Sequence, residues 1–119
     1  MEVSEKTEAV SCVFRDDTLF ITVCGDIDHH SAAALRRESD KAIYLYRPKH
    51  VVMNLSRVEF MDSSGLGLIL GRYTTSQELG ADFRLQNPTQ RIEKILTLAG
   101  TDRMIQIERS DKRQMQKDK

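Results

Sequence analysis

Net charge is missing from this chain: 18 lysines and arginines balance 18 aspartates and glutamates over 119 residues. Nothing global therefore draws it to nucleic acid. Long apolar runs are missing too, and none approaches the roughly 20 residues that span a bilayer. The opening residues Met1-Glu2-Val3-Ser4-Glu5-Lys6 are polar and lack the apolar core of a signal peptide. The expectation is a cytoplasmic protein without a membrane role. Cysteine is scarce. Cys12 and Cys24 are too few for the disulfide framework of a small secreted domain. They read as two buried thiols in a reducing compartment.

What is present suits one globular domain. The length sets a single-domain prior, and 39% hydrophobic with 30% charged residues argues against wholesale disorder. Charge is local rather than global. From Arg109 to Lys119 the chain carries Arg109, Lys112, Arg113, Lys117 and Lys119 against Asp111 and Asp118. Dispersed cations without aromatics read as a solvated tail. The expected division is a polar segment over 1–9, one domain over 10–108 and a charged tail over 109–119.

Periodicity outlines the domain. Val10–Phe14 and Leu19–Cys24 read as strands of a hairpin, with turn chemistry in Arg15-Asp16-Asp17-Thr18. Gly25 ends the second strand and Asp28 can cap a helix. Ala32, Leu35, Ala42, Ile43 and Tyr46 make that helix's apolar stripe, and Pro48 stops it. Val51–Leu55 is a short apolar run, as in a parallel strand covered on both faces. Asp62-Ser63-Ser64 opens a second helix with Leu66, Ile69, Leu70 and Tyr73 as its stripe, ending near Gly80. Phe83–Gln86 alternates as a strand. Asn87-Pro88 reads as a cap followed by proline at the first helical position. Ile92, Ile95, Leu96 and Ala99 follow, then Gly100, and Met104–Ile107 is a last strand.

The order β-β-α-β-α-β-α-β implies an α/β fold: a mostly parallel sheet with an antiparallel N-terminal strand and flanking helices. Ligands and partners favour the edge where the carboxyl ends of parallel strands meet. Two segments should converge there, Gly25–His30 and Glu59–Gly67. Asp26, Asp28, Glu59 and Asp62 would then form a negative patch suited to a partner bearing Arg or Lys. Asp62 and Ser63 fit a helix cap. Gly65 and Gly67 are unusual so early in a helix, where each costs about 0.5–1 kcal/mol against alanine. They suggest that another surface comes close. A phosphate on Ser63 would sit well on the exposed N–H groups of the helix start. It would add about −1.5 to −2 charge to the patch.

Other chemistries fit less well. Gly65, Gly67 and Gly71 give GxGxxxG, one residue longer than the dinucleotide fingerprint, and no P-loop ending is present. Ser63 with His29 or His30 as base would make a hydrolase, but the nucleophile elbow is absent. His29 and His30 are adjacent and His50 lies elsewhere, so no metal set forms. No cofactor is expected.

The stretch Val51–Ser56 through Phe60-Met61-Asp62-Ser63-Ser64-Gly65-Leu66-Gly67-Leu68-Ile69-Leu70-Gly71-Arg72-Tyr73 resembles the signature of STAS domains. Gly25-Asp26-Ile27-Asp28-His29-His30-Ser31-Ala32 is similar to a motif of their anti-sigma-factor-antagonist branch, of the stage II sporulation AA type. The resemblance covers roughly 10–107. It implies a phosphoprotein of sporulation and transcription control, with partner switching as its mechanism rather than catalysis. The unphosphorylated antagonist would bind an anti-sigma factor that is a serine kinase, and so free the sigma factor. Phosphorylation of Ser63 from ATP would end binding, and a PP2C-type phosphatase would reset it. Asp28 would touch the kinase. The implied contact set is Asp26, Asp28, His29, Asp62, Ser63, Ser64, Gly65, Leu66 and Gly67. The alternative is a STAS module of a general-stress or other partner-switching assembly. Thr101 stands where the family often has an apolar residue after the helix-ending glycine, which predicts a looser turn there.

Overall fold

A computed structural model of the protein describes residues 2–6 and 9–110. A six-stranded sheet runs in chain order, β1 (Val3–Lys6), β2 (Val10–Arg15), β3 (Thr18–Cys24), β4 (His50–Arg57), β5 (Asp82–Gln86) and β6 (Gln106–Glu108). Both pairings among β1, β2 and β3 are antiparallel, and β3 to β6 pair in parallel. Helices α1 (His29–Tyr46), α2 (Ser63–Glu78) and α3 (Gln90–Leu98) make the three crossovers. The expected α/β architecture is present. The polar segment 1–9 supplies one strand more than the sequence pattern suggests.

The hairpin turn places Asp16 and Asp17 at φ of 53° and 65°. Left-handed backbone at both central residues matches the twist of the flanking strands, and aspartate tolerates it. One face of the sheet carries Leu19, Ile21, Val23, Val51, Met53, Leu55, Phe83 and Leu85. These join Leu35, Ala42, Ile43, Leu68, Ile69, Ile92 and Leu96 in one core.

The other face is only partly covered. Val52 is buried, but Phe20, Thr22, Asn54, Arg84 and Gln86 are half-buried. Asn54 donates to Gln86 at 3.3 Å, and Arg84 Nη1 pairs with Glu108 at 3.3 Å. Strand β4 is therefore covered on both faces at Val52, as its apolar run suggests, but only in part at Asn54. Cys12 is buried, whereas Cys24 is half-buried.

Three local expectations are corrected. The α3 cap is Thr89, whose Oγ1 accepts from the Ile92 N–H at 3.3 Å. Asn87 instead adopts φ of 56° and accepts the Ser110 N–H at 2.8 Å. The turn after Gly100 is closed, since Thr101 is buried and opens a 3₁₀ turn accepting N–H groups from Met104 and Ile105 at 3.0 Å each. Arg109 is not part of a free tail: it donates to the Pro88 carbonyl at 2.9 Å and pairs with Glu93. The remaining tail, 111–119, lies outside the described residues.

Candidate functional site

The two acidic loops meet beyond the carboxyl ends of β3 and β4. Ile27 and Met61 form a parallel bridge, with the Ile27 N–H on the Phe60 carbonyl at 3.0 Å and the Asp62 N–H on the Ile27 carbonyl at 3.2 Å. Both bridge residues are buried apolar side chains. Alternation then turns their neighbours to the outer face. Asp26, Asp28 and Phe60 are exposed and Asp62 is half-buried. In this register Asp26 lies beside Phe60 and Asp28 beside Asp62. Segments 25–30 and 56–63 together carry four carboxylates, those of Asp26, Asp28, Glu59 and Asp62, and one guanidinium, Arg57.

Asp28 caps α1 through a reciprocal box. Its Oδ1 accepts the Ser31 N–H at 2.8 Å, while Ser31 Oγ accepts the Asp28 N–H at 3.1 Å. Ser31 Oγ also donates to the Asp26 carbonyl at 3.2 Å. The Ser31 N–H, helped by the Ser31 hydroxyl and the His30 N–H, holds the Asp28 carboxyl below the usual aspartate range, against a smaller opposing effect of burial.

Asp62 caps α2 in a simpler way, accepting the Ser64 N–H at 2.8 Å. Ser63 is the first helical residue, and it is exposed. Its hydroxyl makes no hydrogen bond among the described residues, to His29 and His30 or to any other group. The hydrolase arrangement is thus not assembled.

The remaining candidates divide. His29 starts α1 and, with Ser64 and Gly67, lines a groove between α1 and α2. Leu66 is half-buried against the core. Gly65 points inward: a Cβ there would sit 2.6 Å from Met61 Cβ and 2.8 Å from its Sδ. The surface requiring that glycine is therefore the chain's own Met61, not a visiting protein. A Cβ on Gly67 meets nothing within 4 Å.

Two residues near the site escape the sequence reading. Phe60 is 46% exposed amid the carboxylates, which its apolar neighbours in the motif conceal. Arg72 of α2 is 4% exposed. Its Nε lies 2.8 Å from Asp40 Oδ1 of α1, without the alignment of a hydrogen bond, and its Nη1 has no partner among the described residues. Burial pulls this guanidinium down from its usual value and Asp40 pulls it back, but an arginine stays charged. The pair ties the two helices together below their capped ends. Among the described residues no cluster of three metal-ligating side chains occurs, and no helix is long and apolar enough to cross a membrane.

A mostly parallel sheet with antiparallel N-terminal strands and three crossover helices is the fold of a known class. The STAS domain family matches residues 9–113, and the chain belongs to it. Within that family it belongs with the anti-sigma factor antagonists. It is 33% identical to the anti-sigma F factor antagonist of Paenibacillus polymyxa, covering 75% of this chain and 76% of that one. The anti-sigma-B factor antagonist of Bacillus subtilis is 27% identical over 77% of this chain and 83% of its own. Among solved structures, the antagonist SpoIIAA superposes in its unphosphorylated form with a TM-score of 0.69, at 24% identity over 98% of this chain and 95% of that one. The phosphorylated form of SpoIIAA, from Bacillus, gives 0.65 at 24% identity over the whole of both chains.

Proposed function

We propose that this protein is a phosphorylation-controlled antagonist that binds an anti-sigma factor serine kinase in the cytoplasm and thereby frees a sigma factor. It acts by binding, not catalysis. The observation that carries the reading is Ser63: an exposed, unengaged hydroxyl at the first position of α2, next to the Asp62 cap and on the edge where the Ile27 and Met61 loops are bridged. The Paenibacillus relative is by name an antagonist of anti-sigma F, and the SpoIIAA fold exists in phosphorylated and unphosphorylated forms.

The mechanism follows from charge. In the unmodified protein the carboxylates complement lysine or arginine on the kinase and steer its approach. Asp28, locked as an anion by its cap, presents a fixed charge. The kinase transfers phosphate from ATP to Ser63. The helix start tolerates that anion within the chain, because free N–H groups and the dipole favour it. The interface does not tolerate it, because about −1.5 to −2 added charge must be desolvated among four carboxylates. Phosphorylation therefore acts on docking rather than on the fold, and a PP2C-type phosphatase restores the hydroxyl.

The test is a binding titration with the anti-sigma factor kinase of the source organism. Ser63→Ala should bind like the parent and resist release by ATP. Ser63→Glu should bind about a hundredfold more weakly, in keeping with several kcal/mol for a like charge at an interface. Equal affinity for parent, Ala and Glu forms would refute the proposal. The likeness to the anti-sigma-B antagonist of Bacillus subtilis favours a second reading, a general-stress or other partner-switching assembly with the same switch. Binding to a stress-pathway kinase in preference to a sporulation one would select it.

A further inference from the structure

We propose that the phosphatase which resets Ser63 docks on the outer ridge of α1, at the end of that helix away from the switch. The inference rests on the reading above and adds the surface by which the resetting enzyme selects this chain. Tyr44 and Leu45 are 50% and 59% exposed, two large apolar side chains next to each other on a helix that buries Leu35, Ser39, Ala42 and Ile43. Arg37 and Lys41 precede them at the i, i+4, i+7, i+8 spacing of one helix face, and Arg47 follows as the C-cap. These cations are exposed, and none has an ion pair among the described residues. Of the carboxylates on α1, Asp40 is paired with Arg72 and Glu38 is half-buried.

The fold does not use this ridge. Tyr46, the next aromatic along, stacks on Phe14 with ring centroids 5.1 Å apart, whereas Tyr44 makes no ring contact among the described residues. A single exposed apolar side chain is ordinary. Two together, with unpaired cations before and after them, have the pattern of a helix that enters a partner's groove: apolar anchors at helical spacing within a polar rim. The complementary surface is an apolar groove rimmed by aspartate and glutamate.

Position selects the partner. The axis of α1 runs about 24 Å from the Asp28 cap to Tyr44, at about 1.5 Å per residue. That exceeds the Debye length of about 8 Å at physiological salt, so phosphate on Ser63 leaves the ridge unchanged. The kinase lets go when the acidic edge gains charge. The enzyme that follows must hold the released, phosphorylated chain, and a surface indifferent to the phosphate provides that hold. An enzyme anchored there spans the length of the helix to Ser63. Hydrolysis by water then returns the serine hydroxyl and releases inorganic phosphate.

Dephosphorylation kinetics test this. The substrate is the full chain phosphorylated on Ser63 by the kinase and ATP, and the enzyme is the PP2C-type phosphatase of the source organism. Tyr44→Ser combined with Leu45→Ser should raise KM about tenfold or more and leave kcat within about twofold, as expected for binding lost equally from ground and transition states. Lys41→Glu should also raise KM and flatten its dependence on salt. Leu98→Ser, which removes an apolar side chain 81% exposed on α3, should keep parental kinetics. All these variants should melt within about 4 °C of the parent and be phosphorylated by the kinase at the parental rate. Parental KM for both ridge variants would overturn the docking site and leave the switch standing. An equal rise in KM for Leu98→Ser would overturn it too. So would a parent dimer that sedimentation shows to be broken by the Tyr44 and Leu45 substitutions, since the ridge would then belong to a second copy. A parent chain that the kinase does not phosphorylate on Ser63 would overturn both proposals.

Discussion

Helices α1 and α2 begin alike in sequence and differently in chemistry. Each follows an aspartate cap, each has a serine within its first turn, and both open on the same edge. At α1 the serine is occupied: Ser31 Oγ bonds the Asp28 N–H and the Asp26 carbonyl. At α2 the serine in the first position is idle and exposed. A hydroxyl three places after the cap reaches back to the backbone and is used up in holding the helix start. One place after the cap, it projects outward with nothing to hold. The same pair of residue types thus yields a structural lock at one helix and an addressable group at the other.

The largest effect should come from uncoupling the two helices. Asp40→Asn leaves the buried Arg72 guanidinium uncompensated and should cost about 3 kcal/mol in urea unfolding. The double variant Asp40→Asn with Arg72→Met removes both charges and should cost less than about 1.5 kcal/mol, since apolar replacement of such pairs is often close to neutral. Equal losses would show that packing, not charge, joins the helices. Gly65→Ala drives a methyl into Met61 and should cost about 1–3 kcal/mol, read by the same unfolding curves.

The serines themselves give a smaller, sharper contrast. Ser31→Ala should destabilise by about 1 kcal/mol through its lost hydrogen bonds, while Ser63→Ala should stay within about 0.5 kcal/mol of the parent. Equal costs would break the distinction between lock and switch. The last prediction concerns pH. The Asp28 carboxyl is held below its ordinary value, so its stabilisation is present above the unfolded aspartate range, near pH 4, and fades as pH falls through the lower folded value. Melting temperature should drop on acidification below about pH 4, and Asp28→Asn should flatten that dependence.

Much of this was legible in the residues. Alternating apolar patterns predict the hairpin, the three crossovers and the meeting of the segments Gly25–His30 and Glu59–Gly67. The caps at Asp28 and Asp62 stand where the pattern places them. Strand β1 is hidden because Val3-Ser4-Glu5-Lys6 looks polar, whereas an edge strand can be held by backbone pairing alone. The α2 stripe holds at Leu66, Ile69 and Tyr73, but the buried face also takes in Gly65, Leu68, Arg72 and Ser76, while Leu70 turns outward. An apolar count cannot find a buried arginine whose partner, Asp40, lies on another helix. The idle state of Ser63 is a property of hydrogen bonding in three dimensions, and the string Asp62-Ser63-Ser64 does not distinguish it from an engaged cap.

The central claim is that one hydroxyl at the start of α2 carries the switch. Incubating the protein with the anti-sigma factor kinase of its source organism and ATP, then mapping phosphate by peptide mass analysis, tests this most directly. The account predicts a single phosphate on Ser63 and none on Ser31. Phosphate on Ser64 instead, or no phosphate at all, would contradict it.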